Sequence, residues 1–252
     1  MNLPSQKRLQ QRWIKLAHQP NITQLTCKVC NYYENIKKYK KLIAKDNFGA
    51  GQLIRYQCPN CEVIFGDLRF LNLPKDEINK DYQDHYSFHS EGDTSITIIK
   101  MFQLLNLQKN VSYLDYACGE SKKSLEFLNN KGYNVYGYDK YVKSNYKKFL
   151  TNIDNKKFDI IYSNNFIEHV IDPIENLTHI LEHLNNNGKL ILLSPCWSFA
   201  YCYEWTHYHT FFFSEKSLDV LCKKLNIEQI ASHKVNNMIG KATIYIKIFV
   251  KK

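Results

Sequence analysis

The stretch YLDYACGES, Tyr113 to Ser121, constrains this chain most, because an apolar strand runs straight into Asp115 and a small-residue turn at Gly119. In a doubly wound α/β sheet, ligands bind outside the carboxyl ends of the strands, where a tight turn leads into the next helix and lets backbone approach the ligand. A second apolar strand follows. GYNVYGYDK (Gly132 to Lys140) ends on Asp139, roughly 20 residues on, where a carboxylate can take both hydroxyls of a ribose.

Two further segments continue the order: FDIIYSNNFIEHVIDP (Phe158 to Pro173), a strand with an "EHV" turn, and LEHLNNNGKLILLSP (Leu181 to Pro195), a helix, a Gly turn and a strand. In order and spacing the four segments resemble the class I S-adenosylmethionine-dependent methyltransferases, from about Ser90 to the C-terminus. The resemblance implies an α/β fold with a Rossmann-like seven-stranded sheet. It places cofactor contacts on Asp115, Tyr116, Ala117 and Gly119 in the first turn, on Asp139 and Lys140 at the ribose, on Asp154 near the adenine and on Asn164 after the fourth strand. The chain departs from the family's pattern in the first turn, where Ala117, Gly119 and Ser121 stand for the usual three glycines. Ala and Ser are small enough to keep helix and strand close, but neither is at ease with positive φ.

Eight cysteines fall into two groups. Cys27, Cys30, Cys58 and Cys61 form CKVC and CPNC, two C-x2-C knuckles of a structural zinc signature. Each knuckle turns two thiolates onto one point, and together they close a tetrahedron with no open position. A module this small buries too little apolar surface to fold unaided, and a four-cysteine zinc site supplies roughly 10 kcal/mol or more of apparent folding free energy. Disulfides are the competing explanation. Cys118, Cys196, Cys202 and Cys222 lack metal spacing and read as small buried hydrophobes.

The 252 residues divide into a basic segment at 1–20, with Leu9, Trp13 and Leu16 at helical spacing, a zinc-binding module at 21–72, a connector at 73–92 and the large domain at 93–252. Within the module, Leu53 to Phe65 reads as a hairpin carrying the second knuckle at its turn. Leu73 to Asp93 is polar and rich in Tyr and His, and Ser95 to Leu107 repeats apolar residues at helical intervals. Tyr141 to Asp154 leaves room for a short helix and a vestigial third strand. Lys216 to Asn226 is the next amphipathic helix, and IEQIASHKV and Ala242 to Val250 are an antiparallel pair closing the sheet. A zinc ribbon, a Tyr-rich connector and such a domain in this order resemble a bacterial methyltransferase group of sugar and surface-polysaccharide pathways. No run approaches 18 apolar residues and no signal-peptide core opens the chain, so a soluble, cytoplasmic protein without a membrane span is expected. The net charge is +10, of which residues 1–70 carry +8. That balance suits an anionic partner such as a nucleotide-linked sugar, an acidic polysaccharide or nucleic acid; a solvated Lys-rich surface is the alternative.

Methyl transfer from a sulfonium is an in-line displacement, so the enzyme must chiefly hold the acceptor about 3 Å from the methyl carbon. A hydroxyl acceptor also needs a base, and His suits neutral pH. Candidates are His169, which follows Glu168 after the fourth strand, and His207 and His209 in the long aromatic loop Pro195 to Phe213, with Glu204 to orient one of them. The rings of that loop, Trp197, Tyr201, Tyr203, Trp205 and Tyr208 among them, suit stacking on a sugar or a base. His179 and His183, one turn apart, read as an exposed helical face. Tyr82, His85, Tyr86 and His89 fit either a cover over the cofactor or an interdomain surface. No pair of neighbouring acidic residues marks a catalytic metal.

The leading expectation is an O-methyltransferase for a sugar hydroxyl, nucleotide-linked or part of a surface polysaccharide. An RNA methyltransferase using the basic zinc module is the second reading, although Ser163-Asn164-Asn165-Phe166 replaces the D/N-P-P-Y motif of enzymes that methylate exocyclic base nitrogens. A zinc-dependent interaction protein with an inactive domain is the third.

Overall fold

The computed structural model describes residues 7, 11, 22–47, 51–86, 93–120, 122–201, 206–236 and 243–252; for His85, Tyr86, Tyr201 and Asn236 it describes the backbone alone. The helix expected around Leu9, Trp13 and Leu16 lies outside the described residues. Contacts divide the chain into two units that are not linear in sequence. The first comprises Met1–Glu91, Glu168–Pro173 and Cys196–Leu221, and the second Gly92–Ile167, Ile174–Pro195 and Cys222–Lys252.

In the first unit, β1 (Gln24–Thr26) and β2 (Tyr33–Asn35) pair antiparallel around the first knuckle. β3 (Lys40–Lys45), β4 (Gln52–Gln57) and β5 (Ile64–Gly66) form an antiparallel sheet, with the second knuckle in the β4–β5 turn as the hairpin pattern predicts. Strand alternation sends Leu42 and Ala44 of β3 inward and leaves Ile43 outside. A short helix α1 (Leu68–Leu71) starts at Asp67, whose carboxylate accepts from the Arg69 backbone N–H at 2.8 Å. The polar stretch read as a connector is instead largely a helix, α2 (Lys75–Tyr86). Its few apolar residues explain why periodicity concealed it, yet Ile78 and Tyr82 pack with Ala44, Leu53, Phe70 and Tyr208.

The second unit runs α3 (Ser95–Leu104), β6 (Ser112–Tyr116), α4 (Lys123–Asn130), β7 (Asn134–Tyr138), β8 (Phe149–Leu150), β9 (Phe158–Asn164), α5 (Pro173–Glu182) and β10 (Leu184–Ser194). The chain then contributes β11 (Phe211–Phe212) to the first unit, pairing antiparallel with β5. After α6 (Glu215–Leu225) it closes the large sheet with β12 (Ile227–Asn236) and β13 (Thr243–Lys251). The seven strands lie in the order β12-β13-β10-β9-β6-β7-β8, parallel except that β13 runs antiparallel to both of its neighbours. This is the expected seven-stranded α/β sheet. The short helix expected between Tyr141 and Asp154 does not form, and the third strand is the two-residue β8. The core is built by Ile98, Met101 and Phe102 of α3, Leu125 and Leu128 of α4, and inward residues of the strands such as Tyr113, Val135, Tyr162 and Ile191. β6 lies between β7 and β9, the point where strand order reverses and a ligand crevice opens at the carboxyl ends.

Candidate functional site

At the carboxyl edge of the second unit's sheet, Asp115 ends its strand buried, in register with Gly137 on one side and Tyr162 on the other. Burial pushes its carboxyl pKa up to about 8, opposed by the Tyr162 hydroxyl and reinforced by the charge of Asp139. The turn that follows puts Ala117 at φ 57° and Gly119 at φ 64°. Ala117 thus adopts the left-handed conformation that the family's usual glycine would hold without steric cost. Asp139 ties this turn to the next: its carboxylate accepts from the Gly119 N–H at 3.0 Å and from the N–H groups of Tyr141 at 2.8 Å and Val142 at 3.2 Å. A carboxylate has about four acceptor positions, so three bonds leave one open to a further donor.

Lys140 is exposed beside the Tyr141 ring, and Asp154 is exposed in a small network with Asn152. The Tyr116 ring lies 5.5 Å from that of Tyr138 and 5.3 Å from that of Phe166. Among the described residues, the buried atoms Asp115 Oδ2 and Asn164 Oδ1 have no hydrogen-bond partner. Two orphaned acceptors, a left-handed turn and a carboxylate with one open position fit a ligand that brings hydroxyl and ammonium donors.

The catalytic candidates divide differently from the sequence reading. Within the first unit, Glu168, His169 and His209 converge: one ligand atom from each lies within 4.8 Å of the others, and the two imidazoles meet edge to face at 4.7 Å. Thr210 locks their backbones, its N–H donating to the Glu168 carbonyl at 2.6 Å and its hydroxyl bonding the carbonyls of Glu168 and Val170. Arg55, fully buried, donates to the carbonyls of Thr206 and His209 and lies 4.6 Å above the Phe212 ring. Tyr82 donates its hydroxyl to the His169 carbonyl. Burial, with the neighbouring His169 and the Arg55 charge, holds His209 well below the ordinary imidazole pKa, so its ring is neutral.

His207 stands apart from this cluster. Its Nδ1 faces Asp46 Oδ1 and its Nε2 faces Asp81 Oδ2, both at 3.2 Å, with all three side chains buried. Burial disfavours a charged ring here, but the hydrogen bonds to the two carboxylates outweigh it and raise the pKa. With both ring nitrogens engaged by buried carboxylates, neither is open to an acceptor hydroxyl, which corrects its reading as a base. Glu204 lies outside the described residues, as do Tyr203, Trp205 and His89. Trp197, Tyr208, Phe211, Phe212 and Phe213 are buried in the first unit and offer no exposed stacking face. His183 is buried too, with Nδ1 at the Lys156 carbonyl, and His179 meets the Tyr116 hydroxyl at 3.2 Å, so the pair is not an exposed face. Asp46, Asp81 and Arg55 were not legible beforehand: each meets its partner across 126 to 161 residues of chain, with no local pattern.

The four cysteines expected to bind zinc do converge. Cys27 Sγ lies 3.6 Å from Cys61 Sγ, and Cys30 Sγ lies 3.6 Å from Cys58 Sγ. Tetrahedral zinc with bonds of about 2.3 Å needs sulfurs about 3.8 Å apart. Each knuckle is built alike: the residue after its second Cys, Asn31 or Glu62, is left-handed and donates its N–H back to the first Cys carbonyl. Of the remaining cysteines, Cys196 is buried, Cys118 and Cys222 are half-buried, and Cys202 is outside the described residues.

A family model described as a methyltransferase domain matches residues 88–232, more than half of the chain. No curated protein matches significantly. Among solved structures, the chain is similar to the 1,6-didemethyltoxoflavin-N1-methyltransferase of Burkholderia thailandensis, at 14% identity and a TM-score of 0.47 over 70% of this chain and 85% of that one. It is similar to the glycopeptide N-methyltransferase MtfA at 12% identity and 0.49, over 66% and 92%. It is also similar to the magnesium protoporphyrin IX methyltransferase of Synechocystis PCC 6803, at 14% and 0.47 over 71% and 95%.

Proposed function

Because the chain belongs to the methyltransferase-domain family and is an S-adenosylmethionine-dependent methyltransferase, we propose that it methylates a sugar hydroxyl, with His169 taking the acceptor's proton. S-adenosylmethionine supplies an electrophilic methyl on a sulfonium, and the protein's own residues do the rest. Asp139 uses its remaining acceptor position on the ribose. Asp115 and Asn164 receive donors of the bound cofactor, and Ala117 and Gly119 hold the turn that lets it approach.

The observation that carries the base assignment is the convergence of His169 with the neutral, buried His209 and the Glu168 carboxylate. Two adjoining imidazoles resist double charging, and a carboxylate beside them stabilises a single proton once it is taken. His169 is the half-buried member and hence the accessible one. The sugar class is supported by the order of modules, a four-cysteine ribbon ahead of the methyltransferase domain, and by the basic balance of residues 1–70, which suits a nucleotide-linked sugar. The cysteine set is proposed to hold a structural zinc ion, since four thiolates leave no open position.

Release of S-adenosylhomocysteine, measured with panels of nucleotide-linked sugars, free polysaccharide and RNA, tests the reading. Turnover is expected with a sugar acceptor, and His169→Ala should lower it by about 10²–10⁴-fold while cofactor affinity stays unchanged. Methylation of RNA alone would replace the sugar acceptor, and an undiminished His169→Ala enzyme would remove the base.

A further inference from the structure

We propose that Glu168, His169 and His209 form a second metal site, distinct from the four cysteines, for a divalent transition-metal ion held by one carboxylate and two imidazoles. Three observations support it.

The donors converge from two separated stretches of chain, one ligand atom of each within 4.8 Å of the others. Bonds of about 2.0–2.2 Å to nitrogen and oxygen would close that gap with shifts of about 1 Å or less per side chain. The backbones bearing the donors are already fixed. Thr210, itself fully buried, bridges to the carbonyls of Glu168 and Val170, and the β11–β5 pairing continues directly from it at Phe211 and Phe212. Arg55 holds the His209 carbonyl from the other side. A donor set held this way loses little conformational entropy when an ion binds.

The third observation is the environment of His209. Its Nδ1 lies 3.6 Å from Cys196 Sγ, which leaves Nε2 for the cluster. Metal-bound imidazoles characteristically engage a second group through the ring nitrogen that does not face the metal. Glu168 is fully buried, and an ion beside it would neutralise its carboxylate.

Two imidazoles and a carboxylate favour zinc, iron, cobalt or manganese over magnesium or calcium, which prefer oxygen donors. Three protein ligands leave coordination positions open for water or a substrate oxygen. An ion there would lower the pKa of an acceptor hydroxyl bound to it, so that the proton passes to solvent water, and His169 would then hold the ion that positions the acceptor instead of taking the proton itself. That catalytic use rests on the proposed function; occupancy of the site does not.

The test is cobalt(II) titration of the full-length apoprotein by absorption spectroscopy. Filling the cysteines produces thiolate-to-cobalt charge-transfer bands. About one further equivalent should then bind, adding weaker ligand-field bands without new charge transfer. Glu168→Gln and His169→Ala, the latter at a half-buried position, should each lose the second phase and keep the first. His209→Ala is avoided because its burial puts folding at risk. Retention of the first phase with native circular dichroism certifies that a variant has folded. A wild-type protein that saturates with the cysteine phase alone would overturn the site, as would a second phase unchanged in both folded variants. Methyl transfer is read separately: a second phase present in the wild type and lost in the folded variants supports the metal site whatever the acceptor, and failure of the sugar panel leaves the cobalt result standing.

Discussion

Asp115 illustrates how much a single position can carry. Its pKa is about 8 in the fold and about 3.9 in an unfolded chain, so the native state holds the proton more tightly. Stability therefore falls as pH rises from about 4 to about 8 and levels off beyond that. Asn mimics the protonated acid and carries no such pH penalty. Thermal unfolding of Asp115→Asn should match the wild type near pH 4.5 and exceed it increasingly towards pH 8; a constant difference across that window would mean the carboxyl is not buried as described. The position of Asp115 at a strand end was readable from YLDYACGES, but its burial between β7 and β9 was not, because the neighbouring strands come from later in the chain. His207 makes the same point in reverse. The sequence shows a His in an aromatic loop, and only the fold brings Asp46 and Asp81 to its two nitrogens.

Among elements, β11 was invisible beforehand because two residues carry no periodicity and its partner β5 lies almost 150 residues earlier in the chain. The β4–β5–β11 ladder depends on Gly66, which lies at φ 136° and whose Gly66 N–H donates to the Thr210 carbonyl. A Cβ there would meet the Ile54 carbonyl oxygen at 2.5 Å and the Arg55 Cα at 3.0 Å, both backbone atoms that cannot rotate away. Gly66→Ala should cost about 3 kcal/mol in urea unfolding, larger than an ordinary surface substitution. A loss below about 0.5 kcal/mol would show that the two strands do not approach as described. α2 was missed for a different reason: its polar composition reads as a connector, while tertiary packing of Ile78 and the buried Asp81 selects the helix.

At the scale of the molecule, the chain passes between the two units repeatedly, so the stretches Glu168–Pro173 and Cys196–Leu221 share the fate of the cysteine module. Chelating the zinc proposed for the four cysteines should therefore expose more than residues 22–66. Hydrogen exchange after chelation is expected to lose protection in β3, β4, β5 and β11 together, with β6, β9 and β10 still protected. Uniform loss throughout the chain, or loss confined to the knuckles, would contradict this division. Among the described residues no helix is long and apolar enough to cross a membrane.

The sequence by itself determined the strands that end in Asp115 and Asp139 and the cysteine set, and its resemblance to the class I methyltransferases implied the seven-stranded sheet. These rest on short-range signals: apolar strands ending in Asp115 and Asp139, the C-x2-C spacing, and the strand pair at the C-terminus. Tertiary structure alone decided which histidines meet. His169 and His209, separated by 40 residues, share a cluster with Glu168, whereas His207, two residues from His209, points to two buried carboxylates instead. Side chains two apart in an irregular loop obey no period, so their directions follow from Thr210 and Arg55 gripping the backbone, and those contacts reach across 42 to 154 residues of chain.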